Sequence, residues 1–141
     1  MLDRRVEITK TLRATPVVLR ALVSGVDDRL RRRPALGEWA IIEVVAHLAD
    51  TEERALGRVR RMLVEDKLEL APFDQEALAE ERHYLDLELE EELARLEQLR
   101  RQHLDLLEGL DASGVGADRP AWPAWPAWPD IGGAVRDPRR C

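Results

Sequence analysis

Apolar residues recur at spacings of three and four along the stretch from Ile41 to Leu63. This spacing matches one face of an α-helix and is the clearest periodic pattern in the chain. Two further stretches repeat it less regularly, from about Arg4 to Ser24 and from about Asp86 to Leu110, where Arg100 interrupts the apolar stripe. The sequence therefore predicts an all-α fold with three long helices.

The breaks between these helices are less well defined. Pro16 either kinks the first helix or begins a second segment behind Thr15 as its N-cap. The second helix is expected to begin near Glu38, whose negative charge suits a helix N-terminus. The connection to the third helix, about Glu65 to Leu85, is long and contains one predicted turn near residues 75–80. A connection of this length allows the third helix to run parallel to the second.

Composition narrows the class of protein. The 141 residues suit one domain, with 45% hydrophobic and 35% charged residues. A net charge of −6 provides no general attraction to nucleic acid or to an anionic membrane. No apolar run is long enough to span a bilayer, and the opening MLDRRVEITK lacks a signal-peptide core. The single cysteine, Cys141, suits a reducing compartment. We therefore expect a cytoplasmic protein without nucleic-acid or membrane partners.

The last part of the chain has a different composition. It contains the repeat AWPAWPAWP from Ala121 to Pro129, whose prolines exclude an α-helix and favour polyproline II. The chain is therefore divided into a helical bundle, residues 1–110, and an irregular Gly/Pro/Trp-rich tail, residues 111–141. Three helices leave an apolar groove. The tail could cover it, a second copy could cover it, or it could stay exposed; we expect a homo-oligomer, as a dimer.

Several stretches carry a family resemblance. The segment Arg31 to Leu63, RRRPALGEWAIIEVVAHLADTEERALGRVRRML, resembles the DinB-like family, as do the preceding TPVVLRALVSGVDD and the later APFDQEALAEERHYLDLELEEELARLEQLRRQHLDLL. The most specific elements are Pro34, the Gly37-Glu38-Trp39 sequence and His47. The resemblance covers about residues 4–110. It implies a four-helix bundle with a long connection between the second and third helices, and in this chain the fourth helix is absent or replaced by the tail.

The resemblance also implies a divalent metal, Ni, Zn, Mn or Fe, held by three histidines. One of them lies on the second helix, and an HxxxH pair lies on the fourth. His47 matches the first ligand. Nothing matches the pair, because the chain contains only His47, His83 and His103. The implied metal site is therefore incomplete, and the chain would end short of the family's C-terminal motif.

The neighbours of His47 leave two interpretations open. Glu43, Asp50 and Thr51 lie three or four residues away and share its face of the helix. This pattern is typical of a metal ligand with acidic neighbours, and equally of a histidine at a bundle end that is hydrogen-bonded to a carboxylate. His103 falls on the apolar stripe and is interpreted as a core or edge residue, whereas a charged loop places His83 on the surface.

The remaining charges are interpreted as solvated surface. They include two arginine clusters and the charge-patterned third helix, where pairs such as Glu91–Arg95 are expected. The clusters comprise Arg29, Arg31, Arg32, Arg33, Arg58, Arg60 and Arg61.

Some members of the family are S-transferases that use a low-molecular-weight thiol such as bacillithiol or mycothiol. The resemblance therefore implies a metal-dependent enzyme related to these transferases, with a small-molecule thiol as partner and His47 as one ligand. Whether this chain is an enzyme stays open. The alternative is a non-catalytic bundle that acts through association. A third hypothesis is that a shifted reading frame produced the tail after about residue 118, because its Ala, Trp, Pro, Arg and Gly residues have GC-rich codons.

Overall fold

A computed structural model describes residues 4–65, 67 and 69–110, and this part of the chain is all-α, as predicted. Its helices are α1 (Arg4–Leu22), α2 (Ile41–Val64), the short α3 (Gln75–Glu81) and α4 (Leu89–Gly109). α4 packs against both α1 and α2 and is the central helix. None of the described helices is long and apolar enough to cross a membrane.

The chain divides into two units, Met1–Gly109 and Leu110–Cys141. The helices α1 to α4 all belong to the first unit. The predicted tail, residues 111–141, lies outside the described residues. The expectation that it replaces a fourth helix, or that this helix is absent, concerns the same residues.

α1 continues through Pro16 as a single helix, which excludes a separate second segment behind Thr15. Proline has no N–H group, so the carbonyl of Leu12, four residues earlier, loses its helical donor. Arg100 of α4 replaces that donor, since its Nη1 donates to the Leu12 carbonyl oxygen over 2.7 Å. The arginine that interrupts the apolar stripe of α4 therefore completes the backbone hydrogen bonding of α1.

α2 begins at Ile41, later than the predicted start near Glu38. Gly37 has a φ of +80°, which glycine adopts without strain, and Ala40 is extended at the N-cap position. Because alanine has no side-chain acceptor, Glu43 in the first turn accepts the backbone N–H of Ala40 over 2.8 Å. The acidic residue that stabilises this helix start is therefore Glu43.

The long connection contains α3 at the position of the predicted turn. Asp74 caps this helix, with its Oδ1 accepting two first-turn N–H groups at 3.0 and 3.1 Å. A 3-10 turn at Tyr84–Asp86 follows, so α4 begins at Leu89 rather than near Asp86. Arg31 holds this turn in place by donating to the carbonyl of Leu87 over 2.9 Å.

The core lies mainly between α2 and α4. Each fully buried aliphatic side chain contributes roughly 1.5–3 kcal/mol, which is the main stabilising contribution in so aromatic-poor a chain. On α4 the buried face includes Arg100 and His103 as well as leucines. The buried apolar residues are Val23, Ala40, Ile42, Val45, Ala46, Ala49, Leu56, Tyr84, Leu93, Leu96 and Leu104.

Candidate functional site

His47 lies on α2, partly buried, with its ring against Trp39. The two ring centroids are 5.0 Å apart and the planes meet at 72°, an edge-to-face contact. Nε2 of His47 is 3.5 Å from the hydroxyl of Thr51, at the limit of a hydrogen bond. Nδ1 is buried and has no hydrogen-bond partner among the described residues. An unpaired imidazole nitrogen of this kind is the one feature of the site that suits a metal ligand.

Glu43, the first predicted acidic neighbour, is bound by an arginine. Its carboxylate is 3% exposed and accepts two hydrogen bonds from Arg33, of which the Nε–Oε2 bond is 2.9 Å long. A third comes from the backbone N–H of Ala40. The hydrogen bonds from Arg33 hold the pKa of Glu43 below its usual range, although burial acts in the opposite direction. This carboxylate is therefore ionised and fully used in structural contacts.

Asp50, the second acidic neighbour, is at the centre of a larger network. Arg82 donates to its Oδ1, Arg95 donates to the same oxygen over 2.6 Å, and the hydroxyl of Tyr84 donates to Oδ2 over 2.5 Å. Burial alone would raise the pKa of Asp50, but these hydrogen bonds outweigh it and lower the pKa.

The predicted pairing of Glu91 with Arg95 is wrong: Arg95 instead binds Asp50, and also Glu92 and Glu53.

His103 belongs to a separate buried group between α2 and α4. Its Nδ1 lies 2.8 Å from Oε1 of Glu52, while Arg100 donates from Nη2 to Oε2 of the same carboxylate over 2.8 Å. The three residues are between 6% and 9% exposed, so the prediction of a core histidine is confirmed. His83 is exposed, as predicted, and has a φ of +50°, which is unusual for a residue with a side chain.

The sequence did not predict the hydrogen bonds and ion pairs that the clustered arginines make. Arg31 and Arg33 are exposed, as predicted, but both guanidinium groups also bind specific acceptors elsewhere in the chain. The second cluster also makes contacts: Arg60 donates to Gln102, and Arg61 pairs with Glu65 one turn later. These acceptors could not be identified from spacing, since most of them are distant in sequence.

A cleft of about 550 Å³ lies beside the aromatic residues Trp39 and Tyr84. Trp39 and Tyr84 line it, with ring centroids 6.2 Å apart, and Arg33 contributes a guanidinium. Most of its other charged side chains are carboxylates, so the cleft favours a neutral or cationic ligand over an anion. These carboxylates are Glu38, Glu43, Glu76, Glu80 and Asp86.

A divalent metal finds only a partial donor set in this part of the bundle. Nδ1 of His47 is available, but the carboxylates of Glu43 and Asp50 are bound by guanidinium groups, and neither is hydrogen-bonded to the imidazole. Within the ranges that the structure describes, no three His, Cys, Asp or Glu side chains are grouped so that they could hold a metal ion. Zinc and related ions need three or four protein ligands, so the described residues do not fit a complete metal site.

Comparisons with known proteins identify a matching family model and similar proteins. The family model described as the DinB superfamily matches residues 11–136, so the match continues past residue 110, where the resemblance was expected to stop. A protein of Geobacillus thermodenitrificans named "Putative metal-dependent hydrolase" is 35% identical over 100 residues, which is 70% of this chain and 56% of that protein. A Geobacillus kaustophilus protein with a similar name is 32% identical over the same shares. The chain thus spans about half the length of these curated relatives.

A solved structure supports the fold. YfiT from Bacillus subtilis, described as "a probable metal-dependent hydrolase with an unusual four-helix bundle topology", superimposes with a TM-score of 0.73 at 24% identity. The match covers 81% of this chain and 66% of YfiT. At this identity the similarity establishes the bundle architecture alone.

Proposed function

Because this chain belongs to the DinB superfamily, we propose that it is a bundle related to metal-dependent enzymes of that family, including the thiol-dependent S-transferases, and that its own metal site is incomplete. His47 is the single histidine ligand that the chain supplies. One imidazole does not hold a divalent ion tightly, so the chain by itself neither retains a metal nor catalyses a metal-dependent reaction.

The observation that supports this proposal is the state of the carboxylates nearest in sequence to His47. Glu43 is bound by Arg33, and Asp50 is bound by Arg82 and Arg95. A metal that recruited either carboxylate would have to displace the guanidinium groups bound to it and would leave them without their counter-charge. The arginines therefore compete with a metal for the acidic ligands on this helix.

Metal analysis of the purified full chain tests the proposal. The chain is produced in medium supplemented with Ni, Zn, Mn and Fe, beside the Geobacillus thermodenitrificans relative as a positive control. We expect far less than one metal ion per chain, the same content in His47→Ala, and a melting temperature that a chelator does not change. One tightly bound ion per chain that His47→Ala loses would overturn the proposal and favour a functional metalloenzyme.

The alternative is an enzyme whose remaining ligands come from another chain. The buried, unpaired Nδ1 of His47 favours this possibility, since a metal would satisfy it. In that case metal should appear only in an oligomer, and dissociation into monomers should release it. The acidic cleft beside Trp39 argues against an anionic thiol as its substrate, so a neutral or cationic substrate is the better candidate for a turnover assay.

A further inference from the structure

The cleft beside Trp39 has an excess of negative charge. Three segments line it: the loop before α2, the helix α3 and the 3-10 turn that follows α3. Each segment contributes at least one carboxylate, and Arg33 is hydrogen-bonded to Glu43 alone. Among the described residues, no lysine or arginine is paired with any of the other four carboxylates of the cleft. These are Glu38, Glu76, Glu80 and Asp86.

Carboxylates of the long helices have arginine partners instead. Asp50, Glu52 and Glu53 of α2 each bind at least one arginine, and so does Glu97 of α4. Like charges that line one cavity repel each other unless a cation joins them. A local arrangement that is unfavourable in the free protein is often a functional site. A bound cation would therefore explain why the cleft departs from the pairing seen on α2 and α4.

The aromatic wall of the cleft also lacks a cation. Of the three aromatic side chains in the described part of the chain, Phe73 has the guanidinium of Arg54 over its ring at 4.3 Å, and Tyr84 has that of Arg82 at 5.7 Å. Within the same residues, no lysine or arginine lies over the ring of Trp39, which is half-buried and lines the cleft. An indole is the aromatic group that attracts cations most strongly. The ring and the carboxylates thus favour the same kind of ligand.

The separation of the charges decides which cation fits. No three His, Cys, Asp or Glu side chains of the described ranges are grouped so that they could hold a metal ion, so these carboxylates do not converge on one point. Glu76 and Glu80 lie one turn apart on the same side of α3, about 6 Å along its axis. An extended molecule with two positive charges matches such a spacing better than a metal ion does. The cleft volume of about 550 Å³ is in the range of small-molecule sites.

We propose that this cleft binds an aliphatic diamine or polyamine. Its ammonium groups pair with the carboxylates of α3 and the neighbouring segments, and its methylene chain lies against the indole of Trp39. The inference goes beyond the proposed function, because binding needs neither a metal ion nor His47. A chain that retains no metal should bind the amine equally well, so the two proposals fail independently.

Isothermal titration calorimetry of the full chain with 1,4-diaminobutane tests the site. At an ionic strength of about 0.01 M we expect a dissociation constant on the order of 0.1–1 mM, because the carboxylates are exposed to solvent. Binding should weaken at about 0.15 M, where exposed charges are screened over a shorter distance. Butylamine, which has one ammonium group, should bind about fivefold more weakly or worse, and the uncharged 1,4-butanediol should give no binding heat.

Substitutions on α3 assign the binding to the cleft. Glu76→Gln and Glu80→Gln in one chain should raise the dissociation constant for 1,4-diaminobutane about tenfold or more. Glu81→Gln is the matched control, because Glu81 is also exposed on α3 but does not line the cleft, and it should leave the constant unchanged. Trp39→Leu should weaken binding as well. Circular dichroism checks that each variant folds, and the glutamine variants decide the matter where Trp39→Leu does not.

Four results would overturn the proposal. They are the absence of diamine binding at low ionic strength, equal affinity for butylamine and the diamine, the same weakening by Glu81→Gln as by the cleft substitutions, and tighter binding of Mg²⁺ than of the diamine. A chain that binds a lysine-rich peptide through Glu76 and Glu80 but not the diamine would assign the cleft to a basic protein segment and would also contradict it.

Discussion

Replacement of Arg100 by methionine should be among the most destabilising single changes in this chain. Its guanidinium donates to the carbonyl of Leu12 over 2.7 Å and to Glu52 over 2.8 Å, and so connects α1, α2 and α4. The Arg100 side chain is 11% exposed and that of Glu52 is 7% exposed. Methionine keeps most of the volume but has no donor. Glu52 would then keep only His103 among its described partners.

The expected magnitude follows from what the substitution leaves behind. Removal of one partner from a buried ion pair costs about 3–5 kcal/mol, and an orphaned buried carbonyl costs about 1–3 kcal/mol. The two losses share one side chain and do not add fully, so we expect the free energy of unfolding to fall by about 3–5 kcal/mol. The exposed neighbour Arg101→Met is the control and should change it by less than about 0.5 kcal/mol.

A double-mutant cycle with Pro16→Ala isolates the hydrogen bond to Leu12. Alanine restores an N–H at position 16, so the Leu12 carbonyl regains a helical donor even without Arg100. The cost of Arg100→Met should therefore be about 1 kcal/mol smaller in the Pro16→Ala background. Changes in helix propensity and packing at position 16 are common to both Pro16→Ala proteins and cancel. Urea denaturation of the four proteins, followed by circular dichroism, measures this difference; equal costs in the two backgrounds would refute the reasoning.

Three further predictions concern other parts of the bundle. Asp50→Asn should lower the free energy of unfolding by about 2–4 kcal/mol, because Arg82 and Arg95 lose a buried negative charge and the amide group has no second oxygen to accept from Tyr84. The exposed Glu53→Gln should cost less than about 1 kcal/mol in the same urea titration. The pKa values of Asp50 and Glu43 are lowered in the folded state, so their stabilisation is complete above the unfolded pKa of about 4 and is lost as the pH falls through the folded values. The urea concentration at the unfolding midpoint should therefore decrease as the pH is lowered below about 4, and this decrease should be less steep in Asp50→Asn. Equal slopes against pH in the two proteins would contradict this expectation. An added Cβ has open space at both Gly37 and Gly57, so the backbone decides the effect of each alanine. Gly37→Ala should destabilise the fold by about 1 kcal/mol because Gly37 has a φ of +80°. Gly57→Ala lies within α2 and should stabilise the fold by about 1 kcal/mol because alanine is the better helix former.

The helices could be predicted from the sequence because their apolar spacing is a local property. The starts of α2 and α4 could not, because they depend on contacts with other parts of the chain: Glu43 closes the first turn of α2, and Arg31 holds the turn before α4. Arg100 is the clearest example. In the sequence, Arg100 only interrupts the apolar stripe of the helix. Its hydrogen bond to the Leu12 carbonyl could not be predicted, because it depends on α1 continuing through Pro16 and packing against α4.

The same reasoning explains why the sequence points to His47 alone as a candidate ligand. A family motif fixes a position along α2, but the availability of a carboxylate depends on which guanidinium groups the fold brings to it. Glu43, Asp50 and Glu52 are all nearly buried, and each is matched by an arginine from outside α2. These pairs fix the position of α2 relative to the preceding loop and α4, so they stabilise one arrangement of the bundle as well as neutralising its acidic groups. A metal beside His47 that took one of these carboxylates as a ligand would have to displace its arginine, so the bundle would lose a structural contact for each such ligand.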